Sequence, residues 1–255
     1  MLHTLLDILF PARCVVCGIP PGDKAKVPLC CQCQATITRI EPPFCRVCGR
    51  ELYGEPDRQS LCGDCLTDPP PFTLARAPVH YEGAVRQLIR LLKYQGDTAV
   101  IPVLRDLVAG YDIEAFADCR WIVPVPLHRQ RLRRRGLNQA AILAAHFFAD
   151  RRKDILLDGL VRVRNTLPQA GLDGVARRKN LRGAFRVIKA EQIDGTAVCL
   201  VDDVFTTGTT AGECSRALCA AGAETVKVLT LARVAIDGRG GWQPTTRLRK
   251  KKMRI

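Results

Sequence analysis

The chain has 255 residues, of which 47% are hydrophobic, and its formal net charge at pH 7 is +14. This length allows one large domain or two modest ones, with enough apolar residues for a packed core. No apolar run approaches the roughly 20 residues of a membrane-spanning helix, which excludes an integral membrane segment. The excess of cations favours polyanionic partners: nucleic acid, phosphorylated small molecules or an anionic membrane.

The first residues, MLHTLLDILFPARC, form a short apolar segment. A signal peptide has a basic n-region and a small-residue cleavage site, and this segment has neither. We therefore expect a cytoplasmic protein. An amphipathic helix docked on the body is the favoured interpretation of the segment, and a weak contact with a membrane or a partner is the alternative.

Cysteines are concentrated near the N-terminus, where nine of the 13 lie between Cys14 and Cys65. Eight of them form C-x-x-C pairs, and two such pairs complete the tetrahedral coordination of one metal ion. The sequence therefore predicts two structural Zn²⁺ sites with four ligands each: Cys14, Cys17, Cys30 and Cys33, then Cys45, Cys48, Cys62 and Cys65. A cross-braced pairing is the alternative to this sequential one, and Cys31 could replace Cys30.

A disulfide framework is the competing interpretation of the cysteines. The odd cysteine count, the lack of a secretion signal and the apolar contexts of Cys119 and Cys199 argue against it. We expect residues 1–68 to form a double zinc-ribbon module that serves folding or interaction. The prolines at 69–71 indicate a stiff linker into a second domain, residues 69–235, and the cationic segment 236–255 is typical of a disordered tail.

Strand and helix patterns alternate after the linker. Strand patterns cover residues 75–83, 121–126, 197–203 and 225–234, and helix patterns cover 84–96, 99–111 (interrupted near Pro102), 136–150 and 209–223. This alternation predicts an α/β fold with a mostly parallel sheet and helices on both faces. Ligands of such sheets bind beyond the carboxyl ends of the strands.

One such end carries the most specific motif of the chain, VCLVDDVFTTGTT. A loop of exposed amides and hydroxyls that opens a helix binds anions, and Gly208 lets the backbone close around a phosphate. Asp202 and Asp203 would repel that phosphate, but carboxylates accept hydrogen bonds from vicinal hydroxyls. The motif therefore predicts a site for a ribose 5-phosphate.

The same motif resembles the phosphoribosyl-pyrophosphate (PRPP) signature of type I phosphoribosyltransferases. Together with the cysteine pairs, YEGAVRQLIRLLKYQGD, PVPLHRQRLRRRGLNQA and RNTLPQAGLDGVARRKNLRGAF resemble the ComF family, which includes ComFC-like and GntX-like proteins. The resemblance covers about residues 5–234. It implies a type I phosphoribosyltransferase fold behind a zinc region, and a link to natural transformation and imported single-stranded DNA. Many members are described as amidophosphoribosyltransferases, although this chain shows no glutaminase domain.

The resemblance also implies roles for individual residues. Asp202 and Asp203 would hold the ribose hydroxyls, and a mobile loop with Arg177, Arg178 and Lys179 would close over the pyrophosphate. Mg²⁺ would accompany PRPP. The remaining binding residues would contact the 5-phosphate (Thr206, Thr207, Gly208, Thr209 and Thr210) or the pyrophosphate (His128 and Arg129).

The arginine-rich segment 129–135 has three interpretations: a solvated helix face, pyrophosphate contact or nucleic-acid backbone contact. Three function classes stay open as well. One is PRPP-dependent transfer to an unidentified base or amine. Another is an accessory protein that handles single-stranded DNA and uses a PRPP-type pocket for binding or sensing. A third is an adaptor whose zinc ribbons bind a DNA-processing protein.

Overall fold

The computed structural model describes residues 12–22, 25–57, 59–166 and 179–235. All structural statements below concern these residues. The expected N-terminal helix, the basic tail, Arg177 and Arg178 lie outside them. Within the described residues, every helix is too short or too polar to cross a bilayer.

A parallel sheet forms the centre of the molecule. Its strands are β1 (Leu74–Arg76), β2 (Val79–His80), β3 (Trp121–Pro124), β6 (Ala197–Phe205) and β7 (Thr225–Arg233). The order is β1-β7-β6-β3, with β2 also paired to β7, and every pair is parallel. A separate antiparallel pair joins β4 (Leu160–Arg162) to β5 (Phe185–Val187). The mostly parallel α/β sheet expected from the sequence is confirmed.

Helices pack on both faces of this sheet, and two further one-turn helices lie in the cysteine region. They are α1 (Cys31–Gln34), α2 (Gly63–Thr67), α3 (Gly83–Arg90), α4 (Ile101–Val108), α5 (Arg129–Arg135), α6 (Gln139–Phe147), α7 (Ala190–Ile193) and α8 (Thr209–Ala220). One π-helical turn, Leu91–Gln95, continues α3, and 3-10 turns cover Thr98–Val100, Glu114–Phe116 and Ala149–Asp154.

Neighbouring residues of β6 point to opposite faces of the sheet, as the pleat requires. Cys199 and Val201 join a core with α3, α4 and α6, whereas Val198 and Leu200 join a second core with α8 and the β4–β5 pair. Burial on both faces explains why β6 and β7 are nearly continuous apolar runs.

The structure corrects three element boundaries. The expected strand 75–83 is divided into β1 and β2, because Pro78 has no N–H to donate to a ladder. Pro102 does not interrupt a helix: it lies in the first turn of α4, where the missing N–H costs nothing. Strand β6 runs beyond the predicted end at residue 203 and stays paired with β7 as far as Phe205.

The N-terminal cysteine region packs directly on the sheet. The Ala75 amide of β1 donates to the Val47 carbonyl at 2.6 Å, and Arg39 forms an antiparallel bridge with Val79 of β2. The Arg39 side chain also donates to the Leu107 carbonyl at the end of α4. The division of the chain at residue 68 stays a prediction, but the two parts are joined by backbone hydrogen bonds.

Candidate functional site

The eight cysteines of the C-x-x-C pairs form two separate clusters in which all sulfur atoms lie within 4.8 Å of one another. The first consists of Cys14, Cys17, Cys30 and Cys33, and the second of Cys45, Cys48, Cys62 and Cys65. Tetrahedral zinc with Zn–S bonds of about 2.3 Å needs sulfur atoms about 3.8 Å apart. The Cys17–Cys30 and Cys48–Cys62 pairs, at 3.5 and 3.6 Å, fit this requirement. Sequential pairing is confirmed and the cross-braced alternative is wrong.

Both clusters are built from the same local parts. Gly18 and Gly49 follow the first C-x-x-C of each cluster with φ of 76° and 72°, and their amides donate to Cys14 and Cys45 at 2.8 and 2.9 Å. Glycine adopts this left-handed conformation without steric cost. The second C-x-x-C of each cluster begins a one-turn helix, α1 or α2, and carries its last cysteine inside that helix. Cys31 is exposed and lies outside the first cluster.

The threonine-rich loop turns β6 into α8 at the carboxyl edge of the sheet. Gly208 has φ of 76°, and a Cβ atom there would lie 2.8 Å from the Phe205 ring. The Thr207 and Thr209 hydroxyls are 2.7 Å apart, so the loop holds its own side chains in position. A shallow cavity lies over the loop and is lined by Asp202, Phe205, Thr206, Gly208, Thr210 and Thr230, among others. We call residues 206–210 the phosphate loop, after the ligand that the sequence predicts there.

The two acids of the motif point away from each other because they are consecutive residues of a strand. Asp203 is buried and forms an ion pair with Lys93 of the π-helical turn, with 2.6 Å between Nζ and Oδ2. Asp202 lines the cavity, and its Oδ1 accepts a hydrogen bond of 2.8 Å from the Asp203 amide. Asp202 therefore lines the cavity, whereas the charge of Asp203 is balanced by Lys93.

The surroundings of the acids shift the pKa values of nearby groups. Burial and the charge of Asp203 raise the pKa of Asp202 to about 7, against the opposing effects of Lys93 and Arg162. Burial alone would lower the pKa of Lys93, but the charges of Asp203 and Asp202 raise it overall. Near neutral pH, the motif therefore carries less negative charge than its two acids suggest.

Two arginines from different elements meet at Thr166, and the charge of one of them, Arg162, acts on Asp202. Arg162 of β4 is 8% exposed and donates to the Thr166 hydroxyl, and Arg131 of α5 donates to the Thr166 carbonyl. Burial and the charge of Arg131 lower the pKa of Arg162 to about 10. The Arg162 Nε has no hydrogen-bond partner within the described residues. A buried guanidinium with an unused donor favours an anionic ligand.

The other predicted pyrophosphate residues have different positions. The Nδ1 atom of His128 accepts a 3.4 Å hydrogen bond from the Gln130 amide and so caps α5. Arg129, the first residue of α5, is exposed, and so is Lys179. The structure brings the five loop residues and both acids to one strand end. Within the described residues, no hydrogen bond or ion pair joins His128, Arg129 or Lys179 to that end.

Residues 5–66 match the family described as double zinc ribbon domain. Over 234 residues the chain is 35% identical to competence protein F of Haemophilus influenzae, and this alignment spans 88% of the chain and 98% of that protein. The chain belongs to the ComF family. Other ComF-family relatives include DNA utilization protein YhgH of Escherichia coli K12, 30% identical over 228 residues, which cover 88% of the chain and 97% of that protein. Competence protein ComFC of Bacillus subtilis is 26% identical over 226 residues, which cover 84% and 86%.

Sequence reasoning missed three site residues of this ComF-family chain: Lys93, Arg131 and Arg162. A signal for Lys93 was present, because it follows Val85 and Ile89 at helical spacing and so lies on the apolar face of α3 and its continuation. Arg131 was one of five arginines in its segment, with nothing to single it out. Arg162 lies in a three-residue strand that is too short to show a period.

Proposed function

We propose that this ComF-family protein binds PRPP, or a related ribose 5-phosphate ligand with Mg²⁺, at the carboxyl end of β6. One observation carries the proposal. The phosphate loop, with Gly208 in the left-handed conformation, leads directly into the first turn of α8 beside Asp202 and Asp203. Backbone amides at a helix N-terminus and a loop of hydroxyls suit a phosphate monoester.

The chemistry of the surrounding residues supports the remaining parts of the ligand. The Asp202 carboxylate would accept hydrogen bonds from the ribose hydroxyls, while the ion pair with Lys93 keeps Asp203 from repelling the phosphate. Arg162 and Arg131 supply the positive charge that a diphosphate needs. Mg²⁺ that arrives with the diphosphate oxygens would neutralise the charge of a departing pyrophosphate.

We further propose that the protein supports the handling of imported single-stranded DNA in natural transformation. The relatives named competence protein F and DNA utilization protein support this role. A basic surface also favours it: Arg129, Arg133 and Arg134 of α5 are exposed, and beside them Tyr94 is 68% exposed with the Arg135 guanidinium 5.5 Å from its ring centroid. Arginines that contact phosphates and an aromatic ring that stacks on bases are the usual parts of a single-strand site.

Calorimetric titration of the zinc-loaded protein with PRPP and Mg²⁺ tests the pocket. Saturable binding is expected, and it should be lost in the Asp202→Asn, Asp203→Asn double variant. Asp158→Asn is the matched control, because this exposed acid pairs only with Lys189 among the described residues. Unchanged binding in the double variant would remove the basis of the proposal. Repeating the titration with oligo-dT tests whether DNA alters PRPP binding.

Two alternative functions can be distinguished from this proposal. PRPP-dependent transfer to a base or amine would use the same cavity, and pyrophosphate release in the presence of an acceptor would identify it. An adaptor role is favoured by large apolar side chains exposed on the cysteine region: Ile19 at 51%, Tyr53 at 81% and Leu66 at 64%. Such side chains suit contact with a DNA-processing protein.

A further inference from the structure

The side chain of Arg233 joins the second cysteine cluster to the end of the sheet. Arg233 is the last residue of β7 and is 5% exposed. Its Nη1 atom donates to the Cys48 carbonyl at 2.6 Å, and its Nη2 atom lies 3.7 Å from the Cys48 sulfur. The same guanidinium lies over the Phe205 ring, 4.6 Å from its centroid. One buried side chain therefore contacts a metal-ligand residue and an aromatic ring at once.

Phe205 in turn lies directly beneath the phosphate loop. It is the last residue of β6 and the register partner of Arg233. Its ring occupies the space that a side chain at Gly208 would need, with 2.8 Å between the ring and an added Cβ. Phe72 also packs against this ring in a T-shaped arrangement, at 5.9 Å between centroids. The position of the Phe205 ring thus limits the position of Gly208.

The charge of Arg233 also needs an explanation. Within the described residues, Arg233 forms no ion pair with a carboxylate, and a buried cation without an anionic partner is costly. Zinc bound by four thiolates carries a formal charge of roughly −2, and buried hydrogen-bond donors commonly stabilise such thiolates. The second cluster, loaded with zinc, supplies the anionic partner that Arg233 otherwise lacks.

The first cluster has different neighbours. Its buried members, Cys14, Cys30 and Cys33, pack into the core on the α3 and α4 side of the sheet. The Phe205 ring and the helix that follows the phosphate loop belong to the opposite core. A series of side-chain contacts leads from Cys48 through Arg233 and Phe205 to Gly208. Within the described residues, no equivalent series of contacts starts from the first cluster.

We propose that Arg233 is a positioning residue that couples the second cysteine cluster to the phosphate loop. Zinc in that cluster holds Cys48, Cys48 orients Arg233, and Arg233 fixes the ring on which Gly208 packs. Zinc binding and loop order then stabilise each other, and by linkage a ligand on the loop stabilises the zinc. The ligand half of this statement rests on the proposed function, whereas the coupling of cluster and loop does not.

Hydrogen–deuterium exchange of the full zinc-loaded chain tests the coupling without any ligand. Arg233→Met should speed amide exchange in peptides that span residues 203–212 by about tenfold, the effect of one lost charge-assisted hydrogen bond. Arg39→Met is the matched control, because Arg39 also joins the cysteine region to the body, through Leu107, but not to the loop. The control should leave peptides 203–212 unchanged.

Arg233→Lys covers the case in which the methionine variant loses zinc or fails to fold. Lysine keeps the charge near Cys48 but cannot stack a planar guanidinium on Phe205. We expect this variant to retain two zinc ions and still to show faster exchange in the loop. Exchange equal to that of the wild type in a folded, zinc-loaded Arg233 variant would overturn the proposal.

Titration of the same proteins with PRPP and Mg²⁺ separates the coupling from the function. In the wild type, saturating PRPP should slow alkylation of Cys62 and Cys65 during chelator treatment, and Arg233→Met should abolish this protection. If the wild type binds no PRPP but its loop still responds to Arg233→Met, the proposed function is wrong and the coupling stands. If PRPP binds and protects the cysteines equally in both proteins, the coupling is wrong and the function stands.

Discussion

Lys93 and Asp203 form an ion pair at the carboxyl edge of the sheet, with 2.6 Å between Nζ and Oδ2. Lys93 belongs to a π-helical turn, a local irregularity that often occurs at functional sites. The pair removes the net charge of one of two adjacent acids. An anionic sugar phosphate can therefore bind beside an Asp–Asp motif with less repulsion than the sequence alone suggests.

Lys93→Met should lower the free energy of unfolding by about 2–4 kcal/mol, because it leaves a buried carboxylate without its partner. Removal of both charges, in Lys93→Met with Asp203→Asn, should cost less than the sum of the two single changes. Urea unfolding of the three variants at pH 7 measures the coupling. Strictly additive costs would mean that the ion pair contributes nothing to stability.

Asp202→Asn should stabilise the protein in a pH-dependent way. Burial and the charge of Asp203 raise the pKa of Asp202 from 3.8 to about 7, so the folded state holds a proton that the unfolded chain has already lost. The contribution of this group to stability therefore falls as the pH rises through that window and stays low above it. The variant should exceed the wild type by about 1–2 kcal/mol at pH 8 and by about half that amount at pH 5.5.

Thermal unfolding of both proteins at the two pH values checks this dependence. Asp203→Asn is the control, because it breaks the pair with Lys93 and should destabilise the protein at both pH values. A gain for Asp202→Asn that is equal at pH 5.5 and pH 8 would contradict the assigned cause.

Gly208→Ala should weaken PRPP binding and lower stability by about 1–3 kcal/mol. The added Cβ would meet the Phe205 ring at 2.8 Å in a backbone with φ of 76°. Gly136→Ala is the matched control, since Gly136 has the same φ of 76° and nothing within 4 Å of its added Cβ. Calorimetry and melting temperatures of both variants measure the effects. If both variants lose the same stability, the whole cost comes from backbone strain and none from the packing of the loop on Phe205.

The sequence predicts most of the central sheet because its strands are buried on both faces. The runs at 197–203 and 225–234 are apolar without alternation, and such runs are typical of parallel strands. Asp202 and Asp203 indicated a strand end, yet the ladder with β7 continues to Phe205. The contact with Lys93, 110 positions away in the chain, lets a charged residue remain in the ladder, and no local pattern contains that information.

The β4–β5 pair and the arginines beside it were not predicted for a related reason. The two strands have three residues each, too few to show a period of two. The metal clusters were predicted almost completely, because four thiolates at fixed spacing determine their own geometry. The structure was needed only to decide between sequential and cross-braced pairing of the C-x-x-C pairs and to show that Cys31 lies outside the first cluster.

The ligand assignment of the first cluster can be tested by zinc content. The protein should contain two zinc ions per chain, and Cys30→Ser should retain one because it removes a buried member of the cluster. Cys31→Ser should retain both, since that side chain is exposed and outside the cluster. Elemental analysis with native mass spectrometry measures the content. If Cys31→Ser loses a zinc ion and Cys30→Ser does not, Cys31 is the ligand and Cys30 is not.

Single-stranded DNA binding should depend on two features of the basic surface in different ways. Arg133→Ala with Arg134→Ala removes two of the proposed phosphate contacts and should reduce the slope of log affinity against log salt by about 1.4. Tyr94→Ala removes the ring proposed to stack on bases and should weaken binding about tenfold at every salt concentration, with the slope unchanged. Fluorescence anisotropy of a labelled oligo-dT of about 20 nucleotides, measured over a series of salt concentrations, separates the two effects.

Matched controls distinguish this surface from the general positive charge of the chain. Arg152→Ala with Lys153→Ala also removes two exposed cations, and Tyr53→Ala removes a tyrosine that is 81% exposed on the cysteine region. Both controls should leave affinity and slope close to those of the wild type, because nonspecific attraction is spread over the whole net charge. If the control pair changes the slope as much as Arg133→Ala with Arg134→Ala, DNA binds through diffuse charge and not through α5. If Tyr53→Ala weakens binding while Tyr94→Ala does not, the stacking site lies on the zinc ribbons.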